Sequence, residues 1–233
     1  MYYYRLISSM LKAVISTLGT GLYAVYKAES NANDSLGTYN GTAVGGLTYT
    51  AGKSGDAFNF NGTTSYVNLP TSSLQLTIFS INFWLYNPGN TSKTIAANFG
   101  NDGQNKGWYL DLTNGPTIRF VAFNNGTNII SLNATGNSGY LNRWSMATLT
   151  INGTSVKMYL DGSLVNSGTM SNTINYTTTT YPLIGGYRVN NGAVSGILAN
   201  NTRLDELNVW GKELTSTEVT ELYNTGTGKF YPY

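Results

Sequence analysis

The chain has neither cysteine nor histidine. Its chemistry therefore rests on carboxylates, cations, hydroxyls, amides and aromatic rings. A thiol nucleophile, a disulfide, a thiolate metal site, a Ser–His triad and the common zinc site are all excluded. Glycan hydrolysis needs two carboxylates flanking one bond, about 5–5.5 Å apart for retention or about 6.5–9.5 Å for inversion. No strand of alternating Glu-x-Asp-x-Glu type occurs. Asp205 and Glu206 form the only close pair in a predicted strand, and neighbouring strand residues point to opposite faces. Asp111 stands alone between Trp108 and Leu112, while Glu213, Glu218 and Glu221 fall on or beside a predicted terminal helix with a solvated face. The chain is read as a binding or structural protein, not an enzyme.

Recognition of a sugar uses exposed flat rings with polar neighbours. Trp108, Tyr109, Tyr187 and Arg188 border predicted loops and are the candidate ligand-binding residues. Trp84, Trp144 and Trp210 read as core or sheet edge. Exposed tyrosine also suits a protein interface, because it buries area at small entropic cost. Charged residues make up 10% of the chain and the net charge is +2. With no basic run, nucleic acid is excluded as a partner. No apolar stretch of about 20 residues is present, so no membrane span is expected.

These residues must be positioned by a fold. Hydrophobic residues are 41% of 233, enough for one substantial core. Leu6, Ile7, Met10, Leu11, Val14, Ile15 and Leu18 recur at helical spacing and predict a helix over 4–18. It packs on its own domain or anchors to a neighbouring subunit. The apolar run that follows Lys12 is broken by Gly19 and Gly21, and residues 21–29 are needed as a first strand, so a signal peptide is not expected. From Gly21 onward, short apolar runs recur about every ten residues between Asn-Gly, Gly-Gly and Asp-Gly turns, the rhythm of an antiparallel sandwich. Asn152-Gly153 and Asp161-Gly162 predict a three-stranded meander over 145–165. Thr215 and Glu218 fit a capping box at the start of a short C-terminal helix. Asp34, within Asn-Ala-Asn-Asp-Ser, is read as bonding nearby backbone amides.

Four segments carry a family resemblance: GLYAVYKAESNANDSLGTYNGT at 21–42; GKSGDAFNFNGTTSYVNLP at 52–70 with FSINFWLYNP at 79–88; RWSMATLTINGTSVKMYLDGSLVNSG at 143–168; and LIGG at 183–186 with RLDELNVWGKELTSTEVTELYN at 203–224. In this order they resemble the laminin G-like, concanavalin A-like jelly-roll family. The resemblance implies an all-β, two-sheet antiparallel jelly-roll sandwich over 21–233, with a short C-terminal helix and a short N-terminal helical anchor over 1–20. It also implies a structural calcium, held by Asp205 on the last strand, a carbonyl at Gly62, and Glu29 where the family usually has Asp. The start LISSMLKA and the ending LYNTGTGKFYPY resemble members found in bacteriophage virions. That likeness implies a virion structural or adhesion protein that docks on other virion subunits through residues 1–20, forms a homo-oligomer and binds a cell-surface glycan. The alternatives are a secreted bacterial carbohydrate-binding module and, more distantly, a glycoside hydrolase.

Overall fold

The computed structural model describes residues 16–233 other than 72, 90–91, 102–103, 114–116, 137–140, 177–181 and 190–191. In chain order the described strands are β1 (Leu22–Tyr26), β2 (Thr42–Val44), β3 (Thr48–Ala51), β4 (Asp56–Asn59), β5 (Tyr66–Asn68), β6 (Ile78–Tyr86), β7 (Lys93–Asn101), β8 (Asn105–Thr113) and β9 (Thr117–Asn124). They continue as β10 (Thr127–Thr135), β11 (Trp144–Asn152), β12 (Ser155–Leu160), β13 (Ser163–Thr169), β14 (Leu183–Ile184), β15 (Tyr187–Arg188), β16 (Val194–Ser195) and β17 (Arg203–Trp210), followed by helix α1 (Ser216–Tyr223). The first sheet runs β13-β12-β11-β6-β17-β4-β3, with β1 also on β17; the second runs β10-β9-β8-β7-β14-β5-β2; β15 and β16 make a small ribbon. The two sheets form the expected antiparallel jelly-roll sandwich.

Alternation along the strands sets the core. Phe79, Ile81, Phe83 and Leu85 of β6 point inward and meet Trp108, Leu110, Leu112, Ile118 and Phe120 of the second sheet. Ser80, Asn82 and Trp84 face the other way, yet they are buried too. The reason lies at the two ends of the chain. Trp84, Met146, Tyr159 and Trp210 on the outer face of the first sheet are covered by Leu18, Leu214, Val219 and Leu222, with Tyr223, Phe230 and Tyr233 packed alongside. Trp84 stacks on Tyr223 at 6.1 Å and Trp210 on Tyr233 at 6.0 Å between ring centroids. The Ser80 hydroxyl donates to the Lys212 carbonyl and accepts from the Leu214 amide.

Helix α1 begins as predicted. The Thr215 side chain accepts from the Glu218 amide, and the Glu218 carboxylate accepts from the Thr215 amide. Glu218 also takes the Thr17 hydroxyl and the Lys212 ammonium.

Residues just before the expected boundary at 20 are tied to the sandwich. Leu18 is fully buried, its carbonyl accepts the Trp210 indole N–H at 2.7 Å, and Gly211 N donates to Gly21 O. Residues 17–20 thus belong to the sandwich. Residues 16–18 are not helical, and the rest of the predicted helix lies outside the described residues. Asp34 behaves as expected: Oδ1 accepts from the amides of Val25 and Leu36, and Oδ2 from those of Thr38 and Tyr39. Strands β2, β10, β15 and β16 escape the sequence pattern. In β10 a register shift between Asn128 and Ile130 breaks the two-residue period.

Removing the Leu18 side chain should cost about 3 kcal/mol, the range for emptying a buried leucine site. In a domain of this size that lowers the melting temperature by roughly 6–12 °C. Calorimetry of Leu18→Ala checks it, and an unchanged melting point would place Leu18 outside the folded unit.

Candidate functional site

The outer face of the second sheet is built differently. Antiparallel register places Ala97 opposite Tyr109 and Tyr109 opposite Val121, with Thr94 opposite Asp111 and Asp111 opposite Arg119. Residues paired this way share a face. With the inward positions filled by Leu110, Leu112, Ile118 and Phe120, the outward set includes Tyr109, Asp111, Arg119, Val121 and Phe123. The β15–β16 ribbon folds over β7 and contributes Tyr187.

Four rings meet there. Tyr109 lies 5.7 Å from Phe99, 6.0 Å from Phe123 and 6.3 Å from Tyr187, the last a stacked pair at 26°. Phe99 meets Tyr187 edge-on at 5.8 Å. Beside the rings, Arg119 grips Asp111 with two parallel bonds, Nε to Oδ1 at 3.1 Å and Nη2 to Oδ2 at 2.6 Å. Together these side chains, with Thr94, Asn105 and Ser195, line an open depression of about 550 Å³. Gly196 makes the approach of the ribbon possible. Its φ is +65°, its carbonyl accepts the Thr94 amide, and a Cβ there would sit 2.7 Å from Thr94 Oγ1 and 2.8 Å from the Tyr187 ring.

Burial pushes the Asp111 carboxyl up from its ordinary value, against the pull of Arg119. The hydrogen bond to Asp111 raises the more exposed Arg119 guanidinium, so the partner that keeps more solvent gains from the pair. Burial also raises the Tyr109 phenol, again against Arg119.

Of the four predicted ligand-binding residues, Tyr109 and Tyr187 come together here. Trp108 does not. It precedes Tyr109 in β8, so it points to the opposite face, and it is fully buried in the core against Phe79 at 5.6 Å and Phe120 at 6.4 Å. A ring so placed cannot stack on a ligand. Arg188 likewise leaves the ribbon on the side away from Tyr187, donating to the Gly192 carbonyl and to Asn68 Oδ1. The sequence reading missed Phe99, Phe123 and the Asp111–Arg119 pair. The signal was the alternation Tyr109, Asp111 on one arm of a hairpin and Arg119, Val121, Phe123 on the other.

Of the residues implied for calcium, Glu29 and Asp205 flank the same loop, residues 52–56. Gly62 packs against the Asn200 amide, on the antiparallel segment that leads into β17. Asn200 lies in the turn before β17, where the Thr202 amide donates to the Ala199 carbonyl. The glycine beside Asp205 is Gly52, where a Cβ would meet Oδ2 at 2.5 Å. Glu29 is exposed and accepts from the Asp56 amide. Among the described residues no three acidic side chains group around one point.

Asp205 instead marks a seam. β17 pairs with β4 through Arg203 and Leu204, then with β1 from Leu207 to Trp210. The register shifts between Asp205 and Asn208, and Glu206 takes a φ of +49°. This bulge breaks the alternation expected for the two acids and brings their charges within reach of each other. Asp205 Oδ2 accepts the amides of Lys53 and Ser54 at 2.7 and 2.9 Å. Asp205 Oδ1 and both Glu206 oxygens are buried with no hydrogen-bond partner among the described residues. Burial, first of all, pushes Asp205 up to about 7. Burial and then the Asp205 charge push Glu206 up to about 8.

Residues 61–220 match the family model described as the concanavalin A-like lectin/glucanases superfamily, and the chain belongs to that family. Over 164 residues, 63% of this chain, it is 29% identical to botulinum neurotoxin type E of Clostridium butyricum, and that match spans 12% of the toxin. The binding domain of Paraclostridial Mosquitocidal Protein 1 superposes on 88% of the chain with a TM-score of 0.69 and 18% identity, using 52% of its own length. Domain 4 of AbnA, a GH43 extracellular arabinanase from Geobacillus stearothermophilus solved in complex with arabinotriose, superposes on 86% of the chain and 97% of its own with a TM-score of 0.64 and 20% identity.

The acid pair makes a prediction about stability. Both carboxyls hold protons in the folded chain at a pH where the unfolded chain has released them. Their contribution to stability is therefore fully present below about pH 4, the ordinary carboxyl range, and is lost as the pH rises through about 7 and 8. Glu206→Gln should flatten that fall and raise the melting temperature near pH 8 by roughly 5 °C. A pH series of calorimetric scans reads this, and a lower melting point for the variant near pH 8 would contradict it.

Proposed function

We propose that this chain is a non-catalytic recognition domain that binds a glycan in the aromatic groove on the outer face of its second sheet. The observation that carries the reading is an asymmetry. The first sheet's outer face is covered by α1 and the chain ends, whereas the second presents Tyr109, Tyr187, Phe99 and Phe123 beside Asp111 and Arg119 in an open depression. A pyranose or furanose ring offers C–H groups that pack on the negative face of an aromatic ring. Its hydroxyls need polar partners that are fixed in place, as ligand sites generally supply them.

The neighbours by fold support the same class. One is the binding domain of a mosquitocidal protein, and another is an arabinanase domain solved with arabinotriose. The non-catalytic reading is supported by the acids themselves. Asp111 is the only carboxylate lining the groove among the described residues, and both its oxygens are held by Arg119. Glu213, Glu218 and Glu221 pair with Lys157, Lys212 and Lys229.

A second reading, a phage virion component, rests on residues 1–20 and the ending LYNTGTGKFYPY. On this reading the apolar stripe from Leu6 to Ile15 docks on a neighbouring copy or another virion subunit.

Two measurements test these readings. Screening the protein on immobilised glycans and then measuring solution affinity should find a ligand whose binding Tyr109→Ala weakens about tenfold or more. Equal binding by the variant removes the groove as the site. Light scattering of the full chain beside one starting at Ser16 should show an assembly and a monomer, respectively. Two monomers would count against the virion reading.

A further inference from the structure

The charges facing the groove say which glycans fit. Among the described residues that line it, Asp111, Arg119 and Lys93 carry charge. Lys93 is in register with Leu112, a core-facing residue, so its side chain leaves from the opposite face of the sheet. The groove is then left with Asp111 and Arg119, whose formal charges cancel at 2.6 Å.

The pair is locked but not exhausted. Arg119 spends Nε and one Nη2 hydrogen on Asp111 and keeps further donors on the outer edge of its fork. Each Asp111 oxygen accepts once from Arg119 and keeps a second lone pair. A row of fixed donors beside fixed acceptors suits a group that does both, which is a hydroxyl. Two neighbouring hydroxyls of one sugar can bridge the pair, one accepting from the guanidinium and one donating to the carboxylate. An anionic sugar is attracted by Arg119 and repelled by Asp111 in the same groove, so the pair gives it little net gain.

We propose that the groove selects a neutral glycan over sialylated or uronic-acid chains, with the Asp111–Arg119 pair binding adjacent hydroxyls while Tyr109 and Tyr187 hold the C–H face of the ring. The proposal rests on the glycan-binding reading of this groove. The aromatic cluster supplies the apolar area, and the pair supplies orientation. Thr94, Asn105 and Ser195 at the margins add uncharged hydrogen-bonding groups, consistent with the same ligand class.

The test measures affinity of the full chain for arabinotriose, cellotriose, sialyllactose and a galacturonic acid trisaccharide, for wild type, Asp111→Asn, Arg119→Gln and Tyr109→Ala. The wild type should bind a neutral probe about tenfold or more tighter than either acidic one, on the scale of one charge-assisted hydrogen bond. Asp111→Asn should lose about tenfold toward the neutral probe and gain toward the acidic ones, because Arg119 is then unopposed. Arg119→Gln should lose the neutral probe with no such gain. A wild type that prefers an acidic probe overturns the proposal. So does neutral binding that both pair variants retain while Tyr109→Ala abolishes it, and that result leaves the groove standing as the site. Binding that Tyr109→Ala leaves untouched, or none to any probe, removes the groove reading along with the proposal. The wild-type preference needs no variant, so a substitution that fails to fold does not leave the outcome open.

Discussion

A two-layer sandwich has two inner faces, which bury each other, and two outer faces, which must each find a cover or meet water. In this chain the hydrogen bond from the Trp210 indole to the Leu18 carbonyl decides how the first outer face is closed. It ties the start of the sandwich to the end of the last strand. From there the chain turns through Gly211 into α1, whose Val219 and Leu222 seal the surface around Trp84 and Trp210. Both ends of the described chain are thereby used on one side of the molecule. Among the described residues the outer face of the second sheet has no such cover.

That face joins two kinds of interaction that are weak separately. Aromatic rings alone would leave an apolar patch of the sort that mediates unspecific association. A single exposed ion pair adds little to stability. Set side by side on neighbouring antiparallel strands, the rings and the pair make a surface with an apolar floor and an oriented polar edge. The β15–β16 ribbon completes it, and Gly196 is the position that lets the ribbon close onto β7. Elsewhere in the fold, buried acids serve structure. Asp34 gathers four amides in the loop after β1, and Asp205 fills the seam where β17 changes partner.

The sandwich was legible because strand period and turn chemistry agree along most of the chain. The Asn-Gly and Asp-Gly turns at 152–153 and 161–162, the alternation of Phe79 to Leu85 and the capping box at Thr215 are local signals, and each reappears in the structure. Tyr109 and Tyr187 could be picked out because they border loops. Trp108 was misplaced because position beside a loop does not reveal which face a strand residue takes; only the register of Leu110 and Leu112 does. The partnership of Asp111 with Arg119 was readable in principle from the β8–β9 hairpin. The bulge at Glu206 was not, since it follows from a change of neighbour between β4 and β1, strands distant in sequence.

The central claim is that ligand recognition belongs to the uncovered face of the second sheet. The most direct measurement is an amide chemical-shift titration of the isotope-labelled chain with a neutral oligosaccharide. The account predicts that shifts concentrate in β7, β8, β9 and β15, around Phe99, Tyr109, Asp111, Arg119, Phe123 and Tyr187. Shifts confined to α1, to the seam at Asp205 or to the loops between β4 and β5 would contradict it.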